Sequence, residues 1–171
     1  MGIKKPLFGR TALTLMVGAI CLFSIFFDVG KKQILTISYQ IDDTCLYSQE
    51  VTPTDRLTFN WIHSFEHIPW IEEYTIESDD SFTLNTIRVA GFGAGIPENK
   101  GTVSFENNMI VMSNIDQRFD RFDWIHSQTA LTSITVNGTE IVYGPDLPHH
   151  EPLTLTIKGK IALWPRFPST K

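Results

Sequence analysis

Trp61-Ile62-His63-Ser64-Phe65-Glu66-His67-Ile68-Pro69-Trp70-Ile71-Glu72-Glu73-Tyr74 holds two alternating segments separated by a short polar connection and a proline. Strand side chains alternate with period two. Leu57, Phe59, Trp61 and His63 therefore share one face of a first strand, with Thr58, Asn60 and Ser64 opposite and Ile62 among them. Trp70, Glu72, Tyr74 and Ile76 share one face of a second strand, opposite Glu73, Thr75 and Glu77. Pro69 fixes φ and lacks a donor, so the chain bends there and the two strands pair antiparallel. A histidine and a carboxylate thus project from the apolar side of consecutive strands.

The same alternation extends outward in both directions. Ile34–Ile41, Thr44–Val51, Phe82–Val89, Thr102–Glu106, Met109–Ser113, Arg118–Ser127, Thr132–Val136, Thr139–Tyr143 and Leu153–Leu163 all read as strands. Asp42-Asp43, Asp79-Asp80-Ser81 and Asn107-Asn108 supply turns, and Asn137-Gly138 is the strongest short hairpin signal. No helical period appears after the first 30 or so residues. Some ten short strands at close spacing predict an all-β fold, an antiparallel sandwich or a partly open barrel.

A carboxylate taken into a core stays ionised only when paired or hydrogen-bonded. His63 is the nearest partner for Glu72, and the two are predicted within hydrogen-bonding or one-water reach. Such a pair either pins strand register, binds a ligand or metal at the mouth of the sandwich, or serves as an acid–base couple. Trp61-Ile62-His63-Ser64 recurs as Trp124-Ile125-His126-Ser127, and Phe122, Trp124 and His126 alternate as Phe59, Trp61 and His63 do. An internal half-repeat would bring His63 and His126 to equivalent places. Gly91-Phe-Gly93-Ala-Gly95-Ile-Pro97 is a glycine-rich turn. It either spans strands as a wide loop or offers backbone N–H groups to an anion. It is no dinucleotide fingerprint, because no helix follows it and Pro97 would interrupt one.

Thr11–Phe27 carries no charge over 17 residues, the short end of the roughly 17–25 that span a bilayer as a helix. Leu7 and Phe8 extend it, and Lys4, Lys5 and Arg10 precede it, so the N-terminus is expected in the cytoplasm. The expected organisation is a single-pass anchor over residues 7–27 within a tip of residues 1–32, then an exported domain over 33–171. The alternative is a cleaved signal sequence and a secreted domain, although no Ala-x-Ala-like site lies between Ser24 and Gln33.

Hydrophobic residues make up 42% and charged residues 19%, enough for a core without cross-links. The net charge of −5 argues against nucleic acid as a partner. Cys21 lies in the anchor and Cys45 in the exported part, so no internal disulfide is expected, and Cys45 reads as a buried thiol. No nucleophile elbow or His-Glu-x-x-His motif is present, and no cofactor is implied. His149-His150 reads as a loop pair rather than a metal site.

The pattern His63-Ser64, Pro69, Glu72 and Gly91-Phe-Gly93-Ala-Gly95-Ile-Pro97 resembles a bacterial domain family of unknown function, over roughly Leu57–Tyr143. The resemblance implies a small exported or anchored protein. Its genes commonly lie beside TAXI-type TRAP transporters, which import organic anions through extracytoplasmic binding proteins. That context implies an accessory role, with transporter subunits or an organic anion as partner. The candidate binding residues are His63, Ser64, Glu66, Glu72, Gly91, Gly93, Gly95, Pro97 and His126. The leading expectation is a tethered, non-enzymatic ligand-binding module. The alternative is a small exported hydrolase or metal-dependent enzyme using His63, Glu72 and His126.

Overall fold

A computed structural model of the chain describes residues 12, 13, 15–17, 27–91 and 100–165. By contacts the chain divides into two units, residues 32–160 and residues 1–31 with 161–171. In the second of these, residues 12, 13 and 15–17 are helical. No helix among the described residues is long and apolar enough to cross a membrane. The expected anchor over residues 7–27 falls mostly outside the described residues, as do Gly93, Gly95 and Pro97.

The larger unit is all-β and antiparallel, as the alternation predicts. Its strands are β1 (Phe27–Tyr39), β2 (Cys45–Val51), β3 (Arg56–Ile62), β4 (Pro69–Ile76), β5 (Phe82–Val89), β6 (Thr102–Glu106), β7 (Met109–Ser113), β8 (Gln117–Phe119), β9 (Arg121–Ile125), β10 (Leu131–Val136), β11 (Thr139–Tyr143) and β12 (Pro152–Pro165). β1 and β12 run on into the smaller unit. One sheet has the order β2-β1-β12-β9, the other β11-β10-β3-β4-β5-β7-β6, with β8 paired to β5. The sheets are open rather than closed into a barrel. Leu35, Ile37, Leu153 and Leu155 from the first sheet pack with Leu57, Phe59, Tyr74, Ile87 and Ile134 from the second, all buried in one core. This is a sandwich.

Turn chemistry follows the sequence. Asn137 and Gly138 have φ of 52° and 80°, and Asn107 and Asn108 have 51° and 64°. Both pairs carry the double positive φ of a tight hairpin whose twist matches the strands. Two expectations change. Arg118–Ser127 is not one strand. β8 pairs with β5 and β9 pairs with β12, so the chain crosses between sheets at Asp120. A segment that alternates on both sides of a single polar residue hides such a switch. Cys45 is exposed rather than buried, because it opens β2 at the end of its ladder with β1, next to a register shift between Ile37 and Ser38.

Candidate functional site

β3 and β4 pair with Trp61 opposite Trp70, Phe59 opposite Glu72 and Leu57 opposite Tyr74. The predicted faces are correct. Leu57, Phe59, Tyr74 and Ile76 are buried, and Glu72 lies among them on the inner side. Across the sandwich β9 answers with Phe122 and Trp124. The Phe59 and Phe122 ring centroids are 4.9 Å apart, and those of Trp61 and Phe122 are 6.3 Å apart. These contacts leave a solvent-open cleft of about 220 Å³ at the end of the sandwich. Trp61, Ile62, His63, Ser64, Trp70, Glu72, Phe122 and Ala130 line it.

Glu72 is the charged wall of this cleft. Its Oε2 accepts from Trp61 Nε1–H and from the Tyr74 hydroxyl, each at 3.2 Å. Burial raises its pKa above the ordinary glutamate value. The Trp61, Tyr74 and Trp70 donors and the positive charge of Lys100 pull it part of the way back. Trp70 Nε1–H is itself buried and makes no hydrogen bond of normal geometry. Lys100 contributes charge at a distance, since its Nζ donates to Gln117 Oε1 at 3.0 Å. The same burial and the neighbouring carboxylate push the Tyr74 hydroxyl far upward, so it acts as a donor.

Of the expected hydrogen-bonding or one-water reach between His63 and Glu72, no direct hydrogen bond forms. With Phe59 opposite Glu72, His63 lies four residues further along the chain, just past the end of β3, a backbone offset of roughly 13 Å. His63 Nδ1 instead accepts from Glu66 N–H at 3.1 Å, and its ring stacks on Trp70 at 5.6 Å. Both side chains still line one cleft, without a direct hydrogen bond between them. Ser64 lies at the rim, and Glu66 enters through its backbone. Gly91 lies two residues past the end of β5, beside this corner. A β-carbon there would stand 3.1 Å from Ile68 Cδ1, so it packs closely but has no left-handed φ.

His126 occupies a different place. It is fully buried, accepts from Trp124 Nε1–H at Nδ1 (3.2 Å) and engages the Gly144 carbonyl through Nε2 at 3.0 Å. The short helical turn Gly144–Asp146 covers it. Gly144 permits that cover, because a β-carbon there would lie 1.8 Å from the Leu131 carbonyl oxygen. His149 and His150 stack on each other in an exposed turn. Among the described residues no three His, Cys, Asp or Glu side chains converge on a point that would hold a metal.

The recurrence of Trp-Ile-His-Ser is deeper in the structure than in the sequence. Ile62 pairs with Pro69 and Trp61 with Trp70, while Ile125 pairs with Pro152 and Trp124 with Leu153. His63 N–H donates to Ile68 O, and His63 O accepts from His67 N–H. His126 donates to Glu151 O and accepts from His150 N–H. His67 and His150 both have positive φ, 54° and 62°. Each copy therefore joins a Trp-Ile-His strand end to a His-x-Pro strand start in one register. At the position of Trp70 and Glu72 the second copy has Leu153 and Leu155, both 0% exposed.

Sequence reasoning found Glu72 and His63 but not the donors that hold Glu72. Trp61 and Tyr74 share its inner face, which was the available signal. Phe122 was reachable only through the repeat.

A single small β-sandwich with an aromatic-walled, carboxylate-bearing cleft at one end is the class that fold and site define. The model of the domain of unknown function DUF1850 matches residues 57–142, just over half of the chain, and the protein belongs to that family. No curated protein and no solved structure matches the chain.

Proposed function

We propose that this protein is an extracytoplasmic ligand-binding module, tethered by its N-terminal segment, that serves a TRAP-type solute transporter as an accessory. The observation that carries the binding reading is the contrast between the two copies. Where one copy fills its core with Leu153 and Leu155, the other holds Trp70 and a half-buried carboxylate and opens a cleft. Desolvating a carboxylate opposes folding unless its partners compensate. Here the hydrogen bonds of normal geometry go to one oxygen, Oε2, and burial still raises the pKa on balance. A structural role alone is served as well by leucine, as the second copy demonstrates.

The tether rests on the uncharged run Thr11–Phe27 behind a basic tip. The transporter association rests on the family resemblance. An organic anion in the cleft would meet the Glu72 carboxylate, so the anion is better assigned to the transporter as cargo than to this cleft as ligand. Deletion of the gene in its native strain, with uptake of candidate organic anions measured, tests the role. Reduced uptake, with transporter subunits recovered alongside the membrane-extracted protein, is the expected result. Unchanged uptake and no co-purifying subunit would sink it.

A further inference from the structure

We infer that the cleft between β3–β4 and β9 takes a small organic cation, an alkylammonium group, with Glu72 as its counter-charge and Trp61, Trp70, Phe122 and His63 as aromatic walls. This names the ligand class for the binding reading above and rests on it. Four observations converge.

First, the carboxylate is oriented. Trp61 and Tyr74 both donate to Oε2, and the Trp70 indole N–H adds a weaker pull on the carboxylate without a hydrogen bond of normal geometry. Second, no ion pair engages it among the described residues. The positive influence on it there is Lys100, whose ammonium is bonded to Gln117. A half-buried carboxylate with hydrogen bonds but no ion pair among those residues is the complement of a desolvated cation.

Third, four of the other lining side chains, Trp61, His63, Trp70 and Phe122, are rings. Indole and phenyl faces carry negative electrostatic potential, and an ammonium over them gains about 0.5–2 kcal/mol, most when water is excluded. An anion would be repelled by those faces and by Glu72 together. Fourth, the size is right. At about 220 Å³ the cleft falls below the range of roughly 300–1,000 Å³ that holds drug-sized ligands, so it suits a head group. The second copy offers no such site, because Leu155 stands where Glu72 does and the turn at Gly144 covers the histidine.

The test titrates the full chain in detergent with three probes at matched ionic strength: choline, its uncharged carbon isostere 3,3-dimethylbutan-1-ol, and succinate. Tryptophan emission and calorimetry both follow binding, since Trp61 and Trp70 line the cleft. Choline is expected to saturate the signal and to bind about tenfold or more tightly than the isostere. Glu72→Gln keeps an acceptor for Trp61 and Tyr74, and should weaken choline about tenfold while the near-ultraviolet circular dichroism stays native. Trp70→Leu, which copies the second repeat, should weaken it independently. Equal affinity for choline and the isostere, or no change in the Gln variant, overturns the inference. Succinate binding with choline silent also overturns it, but leaves a ligand-binding module standing. Silence of all three probes overturns the inference, and the accessory role then falls separately only if gene deletion leaves uptake unchanged.

Discussion

The Trp61-Ile-His63 and Trp124-Ile-His126 corners share sequence, register and backbone hydrogen bonds, yet one is open and the other is sealed. In the sealed corner the indole N–H of Trp124 is received by His126, whose other nitrogen reaches Gly144 O, and two leucines fill the space below. In the open corner Glu72 takes the indole N–H of Trp61. His63 is then released to lie against Trp70 at the cleft wall. A single change of acceptor, from histidine to carboxylate, redirects the histidine. Local backbone geometry is therefore a property of the Trp-Ile-His and His-x-Pro segments, whereas the use of each corner is set by the residues two and four positions along the partner strand.

The largest expected effect comes from exchanging those residues. Leu155→Glu puts a carboxylate into a fully buried site where Trp124 N–H is already committed to His126. An unpaired buried charge should cost about 3–5 kcal/mol, read by urea unfolding. A cost under about 1 kcal/mol would mean that the sealed corner can open as the other does, and the contrast would fail.

Truncating the two histidines comes next. His126→Ala removes a buried ring, strands the Trp124 donor and leaves Gly144 O with only the Leu147 N–H, so a loss of about 1–3 kcal/mol is expected. His63→Ala removes a half-exposed ring whose acceptor role is to an exposed N–H, so its loss should stay below about 1 kcal/mol. Equal losses would show that both corners are structural.

The two corners should also respond to pH with opposite sign. Burial lowers the His126 pKa, with the charge of His149 adding to the fall and the Gly144 carbonyl opposing it. The unfolded chain then binds the extra proton, so stability declines as pH falls from about 6.5 through the lowered value. Burial raises the Glu72 pKa, so the folded chain binds the extra proton, and stability declines as pH rises from about 4.3 through the raised value. The terms offset each other in the mildly acidic range. Glu72→Gln should therefore make the acid-side decline in melting temperature steeper, and His126→Ala should make it shallower. Parallel melting curves across that range in both variants would refute the assignment.

How much of this was visible in the sequence depends on which interaction fixed each feature. Period-two patterning gave the sheet class, the faces of β3 and β4 and the inner position of Glu72, because burial of one face is a local constraint. Asn137-Gly138 gave its hairpin because the turn needs positive φ at both residues. The partner of Glu72 was misread because register decides it. Alternation fixes which face a side chain occupies but not which residue stands opposite, and Trp61 faces Trp70 rather than Glu72. The sheet switch at Asp120 and the pairing of β9 with β12 join segments far apart in the chain, for which single-strand patterns carry no signal. Trp-Ile-His-Ser was recognised as a repeat, but its His-x-Pro halves lie at different distances along the chain and are matched only in space.

Next to Glu72 in the chain, the smallest effect is expected at Glu73. It faces the outer side of the larger sheet, where Arg88 Nε stands 3.3 Å from its Oε1 and the two side chains are 34% and 24% exposed. The contact is through one oxygen rather than a two-point fork. The position corresponds to Thr156 in the second copy, where no charge is present. Glu73 also borders an outward polar depression with Thr54, Arg56, Thr58, Asn137 and Gly138, so water replaces what a truncation removes. Partly exposed ion pairs held by a single contact contribute about 0–1 kcal/mol and are weakened by salt. Glu73→Ala should accordingly cost under about 1 kcal/mol, and the coupling with Arg88→Ala in a double-mutant cycle should shrink in high salt. Glu73→Ala should leave choline binding unchanged, whereas Glu72→Gln should not. If Glu73→Ala instead costs as much as His126→Ala, the outer face carries a structural network, and the distinction drawn between the two neighbouring carboxylates is wrong.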